Sequence, residues 1–133
     1  MERDQTTLVL DSGALISLSR GNPQTRGRIE AAWRAGAAIV VPVVTVAETH
    51  RGSGPREALL NLALARFDPP RPLCNSTARL AGVLLADSGT ASTIDALVVA
   101  EAIEVAPSVI LTSDLEDLKL LVGRRGNVVV NAI

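Results

Sequence analysis

Four of the chain's 14 acidic residues stand in otherwise apolar surroundings. Asp11 follows Leu8-Val9-Leu10, Glu48 follows Val46-Ala47, Asp95 precedes Ala96-Leu97-Val98-Val99, and Asp114 follows Val109-Ile110-Leu111-Thr112; Asp117 lies one turn beyond Asp114. A carboxylate aimed into apolar packing needs a hydrogen-bond donor or a cation. Two carboxylates about 4 Å apart repel by roughly 4 kcal/mol at an effective dielectric of about 20. Several on one rim therefore imply something cationic among them, and hard divalent ions with oxygen ligands, magnesium or manganese, meet that need. Each acid also has a plainer role open to it. Ser92 to Asp95 and Thr45 to Glu48 have the capping-box interval, Asp114 suits an N-cap, Asp11 suits a cap on a helix from Ala14, and Glu48 can pair with Arg51.

The elements that must position these acids follow from periodicity and turn residues. Strands are expected at Thr6–Leu10, Ala38–Val41, Val109–Thr112 and Asn127–Val130, with a weak edge strand at Pro72–Cys74. Helices are expected at Ala14–Ser19, Gln24–Ala35, Val44–Arg51 opened by Thr45, Arg56–Arg66, Ser76–Ala86, Thr93–Ala106 and Leu115–Val122, with loops at Gly21-Asn22-Pro23, Gly52-Ser53-Gly54-Pro55 and Asp87-Ser88-Gly89-Thr90. Short strands alternating with helices imply parallel pairing and right-handed crossovers, hence an α/β class with helices on both faces. In such a sheet all strands end on one edge. Asp11 and Asp114 end two strands, and Glu48 and Asp95 sit in the first turns of two helices, so four carboxylates are expected on that rim. At about 100° per residue, Glu101 and Glu104 lie roughly 120° and 180° from Asp95, which turns Asp95 away from a solvent stripe carrying those two acids.

Composition excludes several other chemistries. The chain has 133 residues, 47% hydrophobic and 20% charged, in keeping with one folded domain over 1–133. Aromatics are 2%, so a base-stacking platform has almost no material. Basic and acidic residues number 13 and 14, and no global positive field holds a polyanion. There is no phosphate-cradling G-x-x-x-x-G-K-[ST] or G-x-G-x-x-G run. His50 is the only histidine, lacks a G-x-S-x-G partner motif, and reads as a helix surface residue. One His and one Cys, Cys74, cannot build a Cys/His zinc site, and an unpaired cysteine suits a reducing cytoplasm. The start Met1-Glu2-Arg3-Asp4 with its short apolar run Leu8–Leu10 is unlike a signal peptide, and the longest apolar stretch, Ala37–Ala47, is broken by Pro42. A soluble, cytoplasmic protein with no membrane partner is expected.

Four runs, in this order, carry a resemblance: Leu8-Val9-Leu10-Asp11-Ser12-Gly13-Ala14-Leu15; Thr45-Val46-Ala47-Glu48; Thr93-Ile94-Asp95-Ala96-Leu97-Val98-Val99-Ala100; and Leu111-Thr112-Ser113-Asp114 with Asp117. Together they resemble the PIN-domain nucleases, and their length and order are similar to the VapC-type toxins of bacterial toxin–antitoxin pairs. The resemblance runs from about Thr6 to Val130. It implies a three-layer α/β/α fold with a central, mainly parallel sheet and metal-dependent endoribonuclease activity. It further implies Asp11, Glu48, Asp95 and Asp114 as an acidic quartet with Asp117 accessory, Thr112 or Ser113 as the hydroxyl before the last aspartate, and Ser12 beside the first. Gly13 departs from the family, which more often carries a hydroxyl residue there or close by.

On that reading Asp11, Asp95 and Asp114 ligate Mg(II) or Mn(II), directly or through water, Glu48 holds a second ion or orients the attacking water, and Arg20, Arg26 and Arg51 grip RNA. Two rivals use the same acids differently. A phosphohydrolase with Asp11 as nucleophile wants a second carboxylate where Gly13 stands. A receiver-like signalling module wants an adjacent acidic pair after the first strand and a lysine after the last, whereas Lys119 lies in the last helix. The resemblance also implies a cognate antitoxin, and a pocket of carboxylates that takes a divalent ion accepts a guanidinium as well. The expected groove for such a partner is the Gln24–Ala35 helix, with Ile29 and Trp33, beside the Val44–Arg51 helix; Trp33 packed in the core is the competing expectation. Pairing of two copies is expected too.

Overall fold

The computed structural model describes residues 6–52, 54–90 and 92–133, with Arg56 described by its backbone alone. Met1 to Asp4, and Ser53 of the expected 52–55 loop, lie outside the described residues. The chain runs β1 (Thr7–Leu10), α1 (Ser12–Ser19), α2 (Pro23–Arg34), β2 (Ala38–Val40), α3 (Val43–Thr49), α4 (Pro55–Ala65), α5 (Asn75–Ser88), α6 (Thr93–Glu104), β3 (Ser108–Thr112), α7 (Leu115–Val122) and β4 (Val128–Ala132). The four strands form one parallel sheet in the order β2-β1-β3-β4, with Leu10 opposite Leu111.

Side chains alternate across a strand, and here both faces are covered. Leu8 and Leu10 of β1 join Ile39 and Leu111 against Leu15 of α1, Ile29 of α2 and Leu60 of α4. Val9 joins Ile110 and Val128 against α5, α6 and α7 through Leu84, Val98, Val99, Leu118 and Leu121. The result is the expected three-layer α/β/α, PIN-like fold. It explains why the strands read as continuous apolar runs and why α6 is apolar almost all round.

Local signals set the helix starts. Asn22 caps α2 by accepting from Gln24 N at 3.0 Å and Thr25 N at 3.1 Å, with Pro23 in the first turn, where its missing N–H costs nothing. Gly89, at φ 72°, closes α5 in the left-handed conformation, and the helix runs to Ser88, two residues beyond the expected end at Ala86.

Three expectations need correcting. Pro72–Cys74 forms no strand; it is exposed chain leading into α5, and Pro72 has no N–H to give a sheet edge. α3 begins at Val43 rather than at a Thr45 cap, because Thr45 is fully buried and its hydroxyl donates across to Leu10 O at 3.4 Å, tying α3 to the end of β1. Glu101 is not on a solvent stripe. It is 6% exposed, since α5 packs over α6, and the helix wheel of α6 alone carries no record of that cover. Burial pushes the Glu101 carboxyl up, while the Arg71 charge pulls it down.

Leu15 on α1 is fully buried between the sheet and its neighbours. Leu15→Ala should cost about 2–5 kcal/mol of unfolding free energy in a urea titration, and a loss below about 1 kcal/mol would show that α1 is not packed as described.

Candidate metal centre

The chain leaves β1 toward β2 on one side, while β3 lies on the other side of β1. The strand order therefore reverses between β1 and β3, and in such a sheet the carboxyl ends of those two strands are where a ligand site is expected. Asp11 follows β1 and caps α1, its Oδ1 accepting from Ala14 N at 3.0 Å. The capping role and the rim position thus coexist in one residue. Its other oxygen accepts from the hydroxyl of Thr112, the last residue of β3, which is 0% exposed. The same hydroxyl accepts from Asp114 N at 2.8 Å. One threonine oxygen therefore joins the Asp11 carboxylate to the backbone that carries Asp114.

Asp114 occupies the N-cap position of α7, yet its side chain makes no cap hydrogen bond. It turns instead to Asp95 and Asp117: one carboxylate oxygen from each of the three lies within 4.8 Å of the others. Asp95 is delivered by the first turn of α6, where Ser92 does the capping by accepting from Asp95 N at 3.2 Å. The capping interval is real, and it leaves the Asp95 carboxylate uncommitted.

Desolvation is the largest influence raising the Asp114 carboxyl, followed by the charges of Asp117 and Asp95. Asp11 is also raised, first by burial and further by Asp95, against the lowering hydrogen bonds from Thr112 and Ala14. The Asp95 charge thus bears on both Asp11 and Asp114. Three convergent carboxylate oxygens, from Asp95, Asp114 and Asp117, form an all-oxygen donor set, which fits Mg(II) or Mn(II) and offers nothing to a soft metal; Asp11 stands outside that group, its two oxygens accepting from Ala14 N and Thr112.

The remaining expected site residues stand outside the Asp95, Asp114 and Asp117 group. Glu48 is the sixth residue of α3 rather than a first-turn residue, because the helix begins at Val43. It is exposed on a helix that packs on α1 and α6, and among the described residues it makes no hydrogen bond or ion pair and joins no three-acid group. The expected pairing with Arg51 is absent; Arg51 Nη1 donates to His50 O at 2.8 Å and Ala47 O at 3.4 Å. Arg20 lies at the far end of α1, roughly 13–14 Å along the helix axis from Asp11 at about 1.5 Å per residue. Arg26 meets Glu30 at 3.5 Å, and with Arg20 lines a trough with Leu59, Leu62, Arg66 and Phe67, not the acidic crevice. Ser12 is half-buried at the start of α1, and Ser113 is exposed between Thr112 and Asp114.

Trp33 is 56% exposed, so it is not a core residue. The crevice it lines is completed by Leu18, Ile29, Arg66 and Phe67, so the wall opposite α2 comes from α1 and the end of α4, not from α3 as expected. Sequence reasoning also passed over Glu57. It is buried, accepts from Arg51 N at 3.1 Å, and faces His50 Nδ1 as an ion pair when the imidazole is protonated. A glycine-containing loop separates the two partners, and no short motif marks the pair. His50 itself is exposed, as expected.

Strand order and acid placement define a parallel α/β protein with an acidic crevice at its topological switch point. No protein-family model and no curated protein sequence matches the chain. By structure it is similar to a chain of VapBC2 from Rickettsia felis, solved bound to a DNA fragment from the promoter of that pair, with a TM-score of 0.77 and 14% identity over 96% of this chain and 99% of that one. Likeness at that identity carries the fold.

The raised Asp114 carboxyl has a defined sign in stability. Its folded-state pKa lies above the unfolded value near 3.8, so its contribution is intact below that value and is lost as pH rises through the folded pKa. In metal-free protein, Asp114→Asn should raise the Tm near pH 7 relative to wild type, and the gap should close near pH 3. A lower Tm for the variant at neutral pH, measured by differential scanning fluorimetry in chelator, would show that Asp114 is stabilised rather than strained there.

Proposed function

We propose that the chain is a divalent-metal-dependent endoribonuclease of the VapC type, the toxin of a toxin–antitoxin pair, hydrolysing RNA phosphodiester bonds in the cytoplasm. The observation that carries this reading is the Asp95, Asp114 and Asp117 grouping at the β1/β3 crevice, with Asp11 oriented beside it by Thr112. The likeness to the Rickettsia felis VapBC2 chain supports it at the level of the fold. Asp11, Asp95 and Asp114 hold the ion, and Asp117 adds a fourth carboxylate from the first turn of α7. A bound Mg(II) or Mn(II) would supply a water of lowered pKa and offset charge growing on the phosphoryl oxygens.

The chain's own groups do the remaining work. Thr112 fixes the Asp11 carboxylate by donating to it. Glu48, uncommitted on α3, takes the role of orienting the water or accepting its proton. Ser12 at the start of α1 faces substrate, and Arg51 at the end of α3 contacts the RNA backbone; Arg20 and Arg26 are reassigned to partner binding, because their trough is away from the acids. The partner is an antitoxin whose arginine competes with metal for the carboxylates. Its apolar portion lies in the crevice of Leu18, Ile29, Trp33 and Phe67. Two copies of the chain form the working unit.

Asp11→Asn should retain the fold by circular dichroism and lose at least about 100-fold in Mg(II)- or Mn(II)-dependent RNA cleavage, as removal of a charge-stabilising group does. Near wild-type cleavage would overturn the assignment, as would wild-type cleavage that persists in excess EDTA. For the partner, Trp33→Ala should leave the Tm within about 2 °C of wild type, since an exposed side chain contributes little, and should weaken antitoxin binding in calorimetry. A large Tm loss before any partner is added would place the indole in the monomer's packing instead.

A further inference from the structure

Gly13 is the second residue of α1, and its backbone is not in the left-handed region, so its conformation does not demand glycine. Space does. A Cβ built on Gly13 would overlap the Ser113 hydroxyl outright and would come within 2.8 Å of Ser113 Cβ and 3.3 Å of Ser113 N. The same addition at Gly27, Gly82 or Gly126 would meet nothing. Ser113 lies between the two residues that hold the crevice together: Thr112, which donates to Asp11 and accepts from Asp114 N, and Asp114 itself. The loop from β3 to α7 is thus seated on the first turn of α1 at two points, the threonine hydroxyl and the serine against the glycine. Among the described residues the Ser113 hydroxyl makes no hydrogen bond, so packing is its contact.

We infer that Gly13 and Ser113 form a size-matched contact that sets the separation of the Asp11 carboxylate from the Asp95, Asp114 and Asp117 grouping, which makes Ser113 a positioning residue of the metal centre. The inference rests on the reading of that grouping as a metal site. Rotating Ser113 about χ1 would clear its hydroxyl from a side chain at position 13 but would leave its Cβ where it is. Relief then requires the loop to move, and Asp114 moves with it. Mg(II) demands near-ideal octahedral geometry at short distances, whereas Ca(II) accepts longer and more variable ones. A displaced loop should therefore show first as a loss of magnesium in preference to calcium.

The test titrates the full chain, freed of metal, with Mg(II) and separately with Ca(II) by calorimetry. Gly13→Ala should bind Mg(II) about 10-fold more weakly, the scale of a lost supporting contact around a metal, with Ca(II) weakened by less than about 3-fold. The double variant Gly13→Ala with Ser113→Gly removes both offending atoms and should return Mg(II) affinity to within about 3-fold of Ser113→Gly alone, the non-additivity expected of residues in contact. The double variant also carries the test if Gly13→Ala alone fails to fold. Equal Mg(II) affinity in Gly13→Ala and wild type, or a double variant binding no better than Gly13→Ala, overturns the inference while leaving the metal centre intact. Wild-type protein that binds neither ion overturns the metal-centre reading itself.

Discussion

The Thr112 hydroxyl is the atom on which the site's geometry depends. It donates to the Asp11 carboxylate and accepts from the Asp114 backbone, so a single buried oxygen couples the end of β1 to the turn after β3. A buried hydroxyl that both donates and accepts has its capacity well used, and it cannot shift toward one partner without weakening the other. Strand order makes this possible, because β1 and β3 are neighbours and Leu10 lies opposite Leu111, which brings the residues that follow them side by side. Three of the flanking helices, α1, α6 and α7, then present their first turns to the same strand ends.

The charges in that crevice pull against the packing that holds them. Asp11 is buried among apolar residues and carries a raised carboxyl; Asp114 is raised as well, with Asp117 and Asp95 contributing after desolvation. Such a cluster is a local conflict inside an otherwise self-consistent fold, and conflicts of this kind concentrate at functional sites. The neighbouring apolar clusters on the two sheet faces supply the stability that tolerates it.

Much of this was legible in the residue pattern. Asp11 after a β-branched and aliphatic run, and Asp114 after another, announced themselves because strand ends in a parallel sheet share an edge. Asp95 was legible through Ser92, whose capping interval was real. Glu48 lies half a helix from where the Thr45 capping interval puts it, since burial against Leu10 O decides the role of Thr45. A helix wheel knows only its own helix and so turns Glu101 outward, and aromatic identity alone does not say which helix stands opposite Trp33. In each failure a contact between elements distant in sequence outweighed a local preference. The Gly13 and Ser113 contact is of the same kind, since residues 100 positions apart must be placed together before the need for glycine shows.

The bridge from Asp11 to Thr112 spans 101 positions in sequence. Closing so long a loop costs entropy that no local contact offsets beforehand, and parallel pairing of this order is slow to form. The consequence concerns time rather than geometry. While the chain is being synthesised, Asp11 emerges long before its partners, and an N-terminal stretch ending ahead of Thr112 holds a lone capping aspartate with no crevice to serve. The acidic centre comes into being only once β3 and α7 have joined β1, as a property of the completed topology.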